Sequence, residues 1–290
     1  MTDFSNSVLG VSGASGNLGR AVIANLEARG ARRIVAITRD PAKLAELEGV
    51  EVRSGDFAKP ETLATAFAGI DRLLLISTET VGARISQHIN AIDAAERAGV
   101  SHILYTSITA PYPHARHGVQ NDHFWTEARL FQTKGDWTSL RNNIYADFVV
   151  WEAAKTIEAG KLIHAAGNGR RAIVFRDDAA AAAAGALLSA TGREIVDVSG
   201  PDALSYADIA ALLAQIGGKP VEAVDVPHEA QLQGLLGAGL PPPVAEAFAG
   251  FDVAVKAGRL AVTGDGVQRF AGREPASLEA ALRRALGKSA

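Results

Sequence analysis

Six short runs of aliphatic and β-branched residues alternate with helix-like stretches through the first half of the chain: Ser7 to Ser12, Arg33 to Thr38, Val50 to Arg53, Arg72 to Ser77, His102 to Ser107 and Trp137 to Arg141. Apolar runs of this length, bounded by turn residues and separated by helices, predict parallel strands buried on both faces. Strand starts recur every ~20 to 30 residues, which is what a strand, a crossover helix and two loops need. The intervening helices have chemically sensible ends. Asn17 to Arg29 stops at Gly30, Asp40 caps Pro41 to Leu47, and Val81 to Ala98 stops at Gly99. The expected fold class is α/β, a Rossmann-type doubly wound parallel sheet spanning residues 1–143.

After Asn143 the rhythm loosens. Tyr145 to Glu158 reads as helix, Ala172 to Phe175 as strand, the alanine-rich stretch Asp178 to Ala190 as helix capped by Asp177 or Asp178, and Glu194 to Ser199 as strand. Helices are then expected at Ser205 to Gln215, Glu229 to Leu236, Val244 to Ala257 and Leu278 to Leu286. A strand is expected at Val221 to Val226, and Pro241 to Pro243 makes a rigid joint. Residues 144–290 form a smaller α/β substrate lobe in this scheme, roofing the carboxyl edge of the sheet, with some elements free to return to it.

Composition narrows the chemistry. With 48% hydrophobic residues over 290, a substantial core is available. There is no cysteine, so disulfides, thiolate nucleophiles and cysteine zinc sites are excluded. The formal net charge of -3, with acids and bases interspersed, offers no basic stripe for nucleic acid. No apolar run approaches the ~18 to 20 residues of a membrane span, and Met1 to Asn6 lacks a signal-like pattern. The expected compartment is the cytoplasm.

The most informative stretch joins the first strand to the first helix. Gly13-Ala14-Ser15-Gly16-Asn17-Leu18-Gly19 puts glycines three apart at a helix start. There, unpaired N–H groups can hold a dinucleotide's phosphates, and the missing side chains allow close approach. At the end of the second strand, NAD-binding sites carry an acid for the ribose hydroxyl, whereas this chain has Thr38-Arg39. Arg39 could pair with a 2′-phosphate, which favours NADP(H), or be a solvated surface charge. Asp56, with Phe57 beside it, stands where an acid can accept from the adenine amino group, or is an exposed loop aspartate. Ile76, Ser77 and Thr78 end the fourth strand and should line the ribose and nicotinamide.

These residues, with Ala36 to Lys43, Leu73 to Ser77, Tyr105-Thr106-Ser107 and Leu140 to Tyr145, resemble the atypical short-chain dehydrogenases of the NmrA-like group, near its quinone and triphenylmethane reductases. The resemblance implies NADPH along the sheet's edge, its nicotinamide near Tyr105, Thr106, Ser107 and Asn142. It also implies a small electron acceptor, a quinone or similar conjugated electrophile, under the carboxyl-terminal lobe.

Carbonyl chemistry loses weight, because none of the four tyrosines has a lysine four residues on: Tyr105 is followed by Thr109, Tyr112 by Arg116, Tyr145 by Val149 and Tyr206 by Ala210. A quinone needs less acid assistance, so positioning should dominate. Asn142, Tyr145 and His123 are the candidate catalytic groups. The loop Ile108 to His117 is either a lid or a plain surface connection, and His114, His117 and His123 lack a metal-ligand spacing. Trp125 and Trp151 read as core, and His88 as a surface or packing residue. A redox sensor that binds the dinucleotide without turnover, or a reductase of a specialised C=C, imine or aromatic intermediate, is the alternative. A monomer or homodimer suits all of these.

Overall fold

A computed structural model describes residues 4–80, 82–113 and 119–288. In chain order the first half contains β1 (Leu9–Ser12), α1 (Asn17–Ala28), β2 (Ile34–Thr38), β3 (Glu51–Ser54), α2 (Leu63–Phe67), β4 (Arg72–Leu75), α3 (Arg84–Arg97), β5 (His102–Ile108), α4 (Gln120–Leu130) and β6 (Asp136–Asn142). It continues with α5 (Asp147–Ala159), β7 (Lys161–His164), β8 (Arg170–Arg171), α6 (Arg176–Ser189), β9 (Arg193–Val198), β10 (Leu204–Ser205) and α7 (Tyr206–Gly217). The remaining elements are β11 (Glu222–Asp225), α8 (His228–Gly237), α9 (Pro242–Lys256), α10 (Gly266–Ala271) and α11 (Leu278–Ala285).

Seven strands form one parallel sheet in the order β3-β2-β1-β4-β5-β6-β9. The order reverses between β1 and β4, and in open α/β sheets ligands bind in the crevice beyond the carboxyl ends at that switch point. One face packs Leu9, Val11, Leu74, Leu104 and Leu140 against α1, α6 and α10. The other packs Val35, Leu73, Ile103 and Tyr105 against α2, α3 and α4. The alanines of α6 let it approach its neighbours closely: a Cβ on Gly185 would lie 1.9 Å from the Phe270 carbonyl oxygen of α10. The buried Arg72 closes the carboxyl end of α6, donating from Nε to Leu187 O at 2.6 Å and from Nη2 to Ala186 O at 3.2 Å and Ala190 O at 2.8 Å.

The second lobe has its own apolar core under α5, α7 and α11, including Ala153, Ile157, Leu213 and Leu282. Two small sheets complete it, β7 with β11 in parallel and β8 with β10 antiparallel. Its polar centre is the buried Asp252, which accepts from Tyr206 Oη at 2.5 Å, Gln231 Nε2 at 2.5 Å and the Ala165 amide at 2.8 Å.

Several expected elements shift. The helix at Pro41 to Leu47 is a single 3-10 turn, Pro41–Leu44, entered through Asp40 as its N-cap, and the amides after it keep three-residue spacing, Ala45 to Ala42 O and Leu47 to Leu44 O. Ala172 to Phe175 forms no ladder: it contributes one bridge, Val174 to Tyr145, and its amides go to separate partners, Ala172 to Leu260 O and Val174 to Ile144 O. The strand expected at Glu194 is β9, the seventh strand of the main sheet, and α6 returns with it to pack beside α1. Val81 lies outside the described residues, and α3 begins at Arg84. Trp125 and Trp151, expected in the core, are exposed, Trp151 by 76%. Among the described residues no helix is long and apolar enough to cross a membrane.

Candidate functional site

The glycine turn stands at the switch point. Gly13 has φ +62, a conformation that costs a side-chain-bearing residue energy and glycine little. The Ala14 amide bonds Ile37 O of β2 at 3.1 Å, and the Ser15 and Thr38 hydroxyls meet at 2.9 Å, so the turn is tied to the neighbouring strand. Gly19 has no room for a side chain: a Cβ there would lie 2.4 Å from Gly13 O and 2.7 Å from Ala14 Cα. This contact seats the first turn of α1 directly on the loop. Gly16 is the N-cap and no side chain caps the helix, which leaves its first amides to an external acceptor. Gly13, Gly16 and Asn17 are exposed, whereas Leu18 packs against the core.

Beyond β2, Arg39 is exposed and makes no hydrogen bond or ion pair with any described residue. The adjacent carboxylate, Asp40, is turned to its own loop, where Oδ1 accepts the Ala42 amide at 3.2 Å. Arg20 on α1 clips the two loops together, bonding Ser15 O at 3.3 Å together with Lys43 O and Glu46. Asp56 is half-buried and its Oδ1 accepts the Ala58 amide at 2.9 Å; Phe57 is buried edge-on against Phe67.

The segment after β4 is held by side chains, one for each amide. Ile76 N donates to Ser12 Oγ, Ser77 N to Thr106 Oγ1 and Thr78 N to His88 Nε2, all at 2.9 Å. Neither Ser12 nor His88 carried a signal in the sequence, since a side chain accepting a remote backbone amide belongs to no motif. Ile76 also faces the turn, its Cβ 3.4 Å from where a Cβ on Gly13 would be.

Strand alternation divides the residues expected around the nicotinamide. Thr106 and Asn142 share the α1/α6 face of the sheet with Leu104 and Leu140, while Tyr105 and Ser107 share the α3/α4 face with Ile103. Tyr105 is fully buried, its Oη 2.8 Å from His123 Nδ1 and 3.3 Å from His88 Nδ1. Burial raises its pKa. His123 was expected beside the acceptor; it is sealed beneath the sheet instead, with Nε2 3.1 Å from Arg84 Nη2, because α4 turns it inward against β5. Burial, then Arg84, hold its pKa far below the ordinary histidine value.

At the open end, Asn142 donates from Nδ2 to Tyr145 Oη at 3.3 Å, and the Arg176 guanidinium lies 5.3 Å from the Tyr145 ring. Burial raises the phenol's pKa, so it stays protonated at neutral pH. Asn142 Oδ1 and Ser107 Oγ are buried without a hydrogen-bond partner among the described residues. Orphaned polar atoms at a strand's carboxyl end suit a bound ligand that completes them. Tyr112, in the loop after β5, packs under the Arg259 guanidinium at 4.2 Å, so this side of the crevice touches the second lobe. His114 and His117 fall outside the described residues, and among those described no three acidic or histidine side chains gather as metal ligands.

A glycine turn seated on an uncapped helix, a cationic end to β2 and an orphaned amide oxygen on Asn142 at the carboxyl end of β6 define a dinucleotide-binding protein of the short-chain-dehydrogenase fold. A family model described as NAD(P)H-binding matches residues 13–190, and the chain belongs to that family, as an NmrA-like NAD(P)H-dependent oxidoreductase. Quinone oxidoreductase 2 of Escherichia coli (strain K12) is 36% identical over 262 residues, covering 87% of this chain and 90% of its own. The crystal structure of an Escherichia coli NADPH-dependent quinone oxidoreductase complexed with NADPH superposes with TM-score 0.88 at 33% identity, covering 96% of this chain and 99% of the other. The Citrobacter sp. triphenylmethane reductase complexed with NADP(H) does so with TM-score 0.86, again at 33% identity and with coverage of 96% and 99%.

Proposed function

We propose that the chain is an NADPH-dependent reductase of quinones or similarly conjugated electrophiles. The observation that carries the cofactor choice is Arg39, exposed and unengaged beyond β2, with the neighbouring Asp40 carboxylate turned away to Ala42. A dianionic 2′-phosphate there gains a charge-assisted contact that a ribose hydroxyl does not.

Gly13, Ala14, Ser15, Gly16, Asn17, Leu18 and Gly19 would hold the pyrophosphate, Arg39 the 2′-phosphate, and Asp56 with Phe57 the adenine end. Ile76, Ser77, Thr78, Thr106 and Asn142 would border the ribose and nicotinamide. When bound, NADPH supplies a hydride to the acceptor, and solvent can supply the accompanying proton. The protein's part is positioning. Asn142 and Tyr145, already bonded to each other at 3.3 Å, offer hydrogen-bond donors to an acceptor oxygen, and Tyr145 keeps its proton because burial disfavours the phenolate. The acceptor class is supported by the relatives' own substrates, a quinone and a triphenylmethane dye, and by the absence of a lysine paired with any tyrosine.

Calorimetric titration with NADPH and NADH, on the wild type and on Arg39→Ala, tests the cofactor choice. The substitution should weaken NADPH about 10- to 100-fold, the cost of one charge-assisted pair, and leave NADH within about twofold. Equal loss for both cofactors would refute the assignment. A panel of quinones, followed by the loss of reduced-nicotinamide absorbance, tests the acceptor; no turnover with any of them would favour the sensor.

A further inference from the structure

The Ile76–Thr78 segment continues beyond the end of β4 at Leu75, and its last amide is held by a buried ring. His88 is 2% exposed, packed edge-on to Tyr105 with ring centroids 5.4 Å apart. We propose that His88 is a positioning residue for the cofactor: by accepting the Thr78 amide it fixes the Ile76–Thr78 segment in the shape that receives the nicotinamide riboside. The inference rests on the placement of that segment against the cofactor given under the proposed function.

Hydrogen-bond polarity determines what the ring can do. A backbone amide can only donate, so His88 Nε2 is the accepting nitrogen and a neutral ring carries its proton on Nδ1. Nδ1 lies 2.9 Å from Thr126 Oγ1, which passes its own hydrogen to Asp122 O at 2.8 Å. The same logic runs from the other end. Arg84 can only donate to His123 Nε2, so His123 carries its proton on Nδ1, aimed at Tyr105 Oη. Donors at the two ends, one a backbone amide and one a guanidinium, therefore impose the same tautomer on both histidines.

This arrangement also rules out a competing role. A proton on His88 Nε2 would confront the Thr78 N–H with a second donor, so the ring cannot serve as an acid toward the crevice without releasing the segment. The charged groups around the network are Arg84 from α3, with Asp122 and Glu127 from α4 and Glu79 ahead of α3; Arg84 is nearest the rings and opposes their protonation. A neutral acceptor at fixed height is what remains.

The test compares His88→Leu, similar in bulk but without an acceptor, with His88→Gln, whose Oε1 can reach near the Nε2 position. Two quantities are measured for each folded variant, the NADPH Kd and the hydrogen exchange of the Thr78 amide. His88→Leu should expose the amide to exchange and raise Kd about tenfold, since a half-buried donor is left unpaired and the segment is released. His88→Gln should restore both to within about threefold of wild type. A folded variant that loses amide protection while keeping its NADPH affinity overturns the proposal, as does one that loses affinity with the amide still protected. If His88→Leu shows no cooperative unfolding, His88→Gln is judged by the same rule. The underlying placement is tested separately: bound NADPH should slow exchange at the wild-type Ile76, Ser77 and Thr78 amides, and if it does not, the placement fails whatever the variants show.

Discussion

Lowering the pH from 7 to 5 should destabilise this fold by several kcal/mol, because His88, His102, His123 and His164 are buried and burial lowers the pKa of each. Burial, then Arg84, depress His88 to about 3. Burial, then Arg72, depress His102 to about 4. His102 gives one ring nitrogen to Thr138 Oγ1 at 2.9 Å and has no partner for the other among the described residues. His123 is shifted in the same direction, well below its ordinary value. An unfolded histidine binds its proton near pH 6.5. Below that pH the unfolded chain takes up protons that the folded chain refuses, so stability is full above about 6.5 and falls as the pH drops towards the folded values. At pH 5 His88 and His102 each cost ~1.5 pH units, or about 2 kcal/mol, so the two together remove about 4 kcal/mol, against a typical total of 5 to 15, and His123 and His164 act in the same direction. Asp197, whose pKa burial raises, acts in the opposite sense, because the folded chain binds its proton first. Urea unfolding at pH 7.5, 6 and 5 should show the free energy nearly flat above about pH 6.5 and falling below it by about 1.4 kcal/mol per pH unit per titrating histidine. His88→Gln and His102→Asn should each remove one such contribution from the slope. A wild-type free energy constant to within about 1 kcal/mol between pH 7 and 5, or a slope unchanged in both variants, would refute the reasoning.

Arg72→Leu should cost about 3 kcal/mol in urea unfolding, because the Leu187 and Ala190 carbonyls at the end of α6 lose the guanidinium in a buried place, while Ala186 O keeps the Ala190 amide. No loss of NADPH affinity is expected, since Arg72 lies at the amino-terminal end of β4, away from the crevice. Tyr145→Phe should lower kcat with a quinone about 10-fold while the NADPH Kd changes less than threefold; equal losses in both would place Tyr145 on the cofactor rather than beside the acceptor. In the wild type the raised phenol pKa predicts that kcat shows no loss through tyrosine ionisation up to about pH 9, checked by a pH–rate profile.

The parts of the fold legible in the sequence are those whose reasons are local. A chain that must turn sharply at Gly13, and in which a Cβ on Gly19 would lie 2.4 Å from the Gly13 carbonyl oxygen, cannot carry side chains there, so the glycine turn is written in residue types. Strands buried on both faces are likewise visible as apolar runs. The place of β9 is not, because nothing local distinguishes a strand that returns to the main sheet beside β6 from one that starts a new lobe. Ala172 to Phe175 shows the opposite failure: an apolar run with strand character in which the Ala172 and Val174 amides find single partners in two different places.

The misplaced site residues have a common cause in the period of the β-strand. Tyr105, Thr106 and Ser107 are consecutive in β5, and three consecutive strand residues cannot all turn to one ligand. The family pattern names the segment; alternation decides its members. Thr106 goes to the α1/α6 side, where its hydroxyl holds the Ser77 amide, and Tyr105 goes to the α3/α4 side, where it meets His88 and His123. His123 then follows Tyr105 out of the crevice, because the two are bonded at 2.8 Å. The histidine that does bear on the crevice is His88, which sequence pattern assigned to surface or packing. Its contact runs through a backbone amide rather than a ligand atom: Ser12, Thr106 and His88 each hold one amide of Ile76–Thr78, so this wall of the proposed site is shaped from behind.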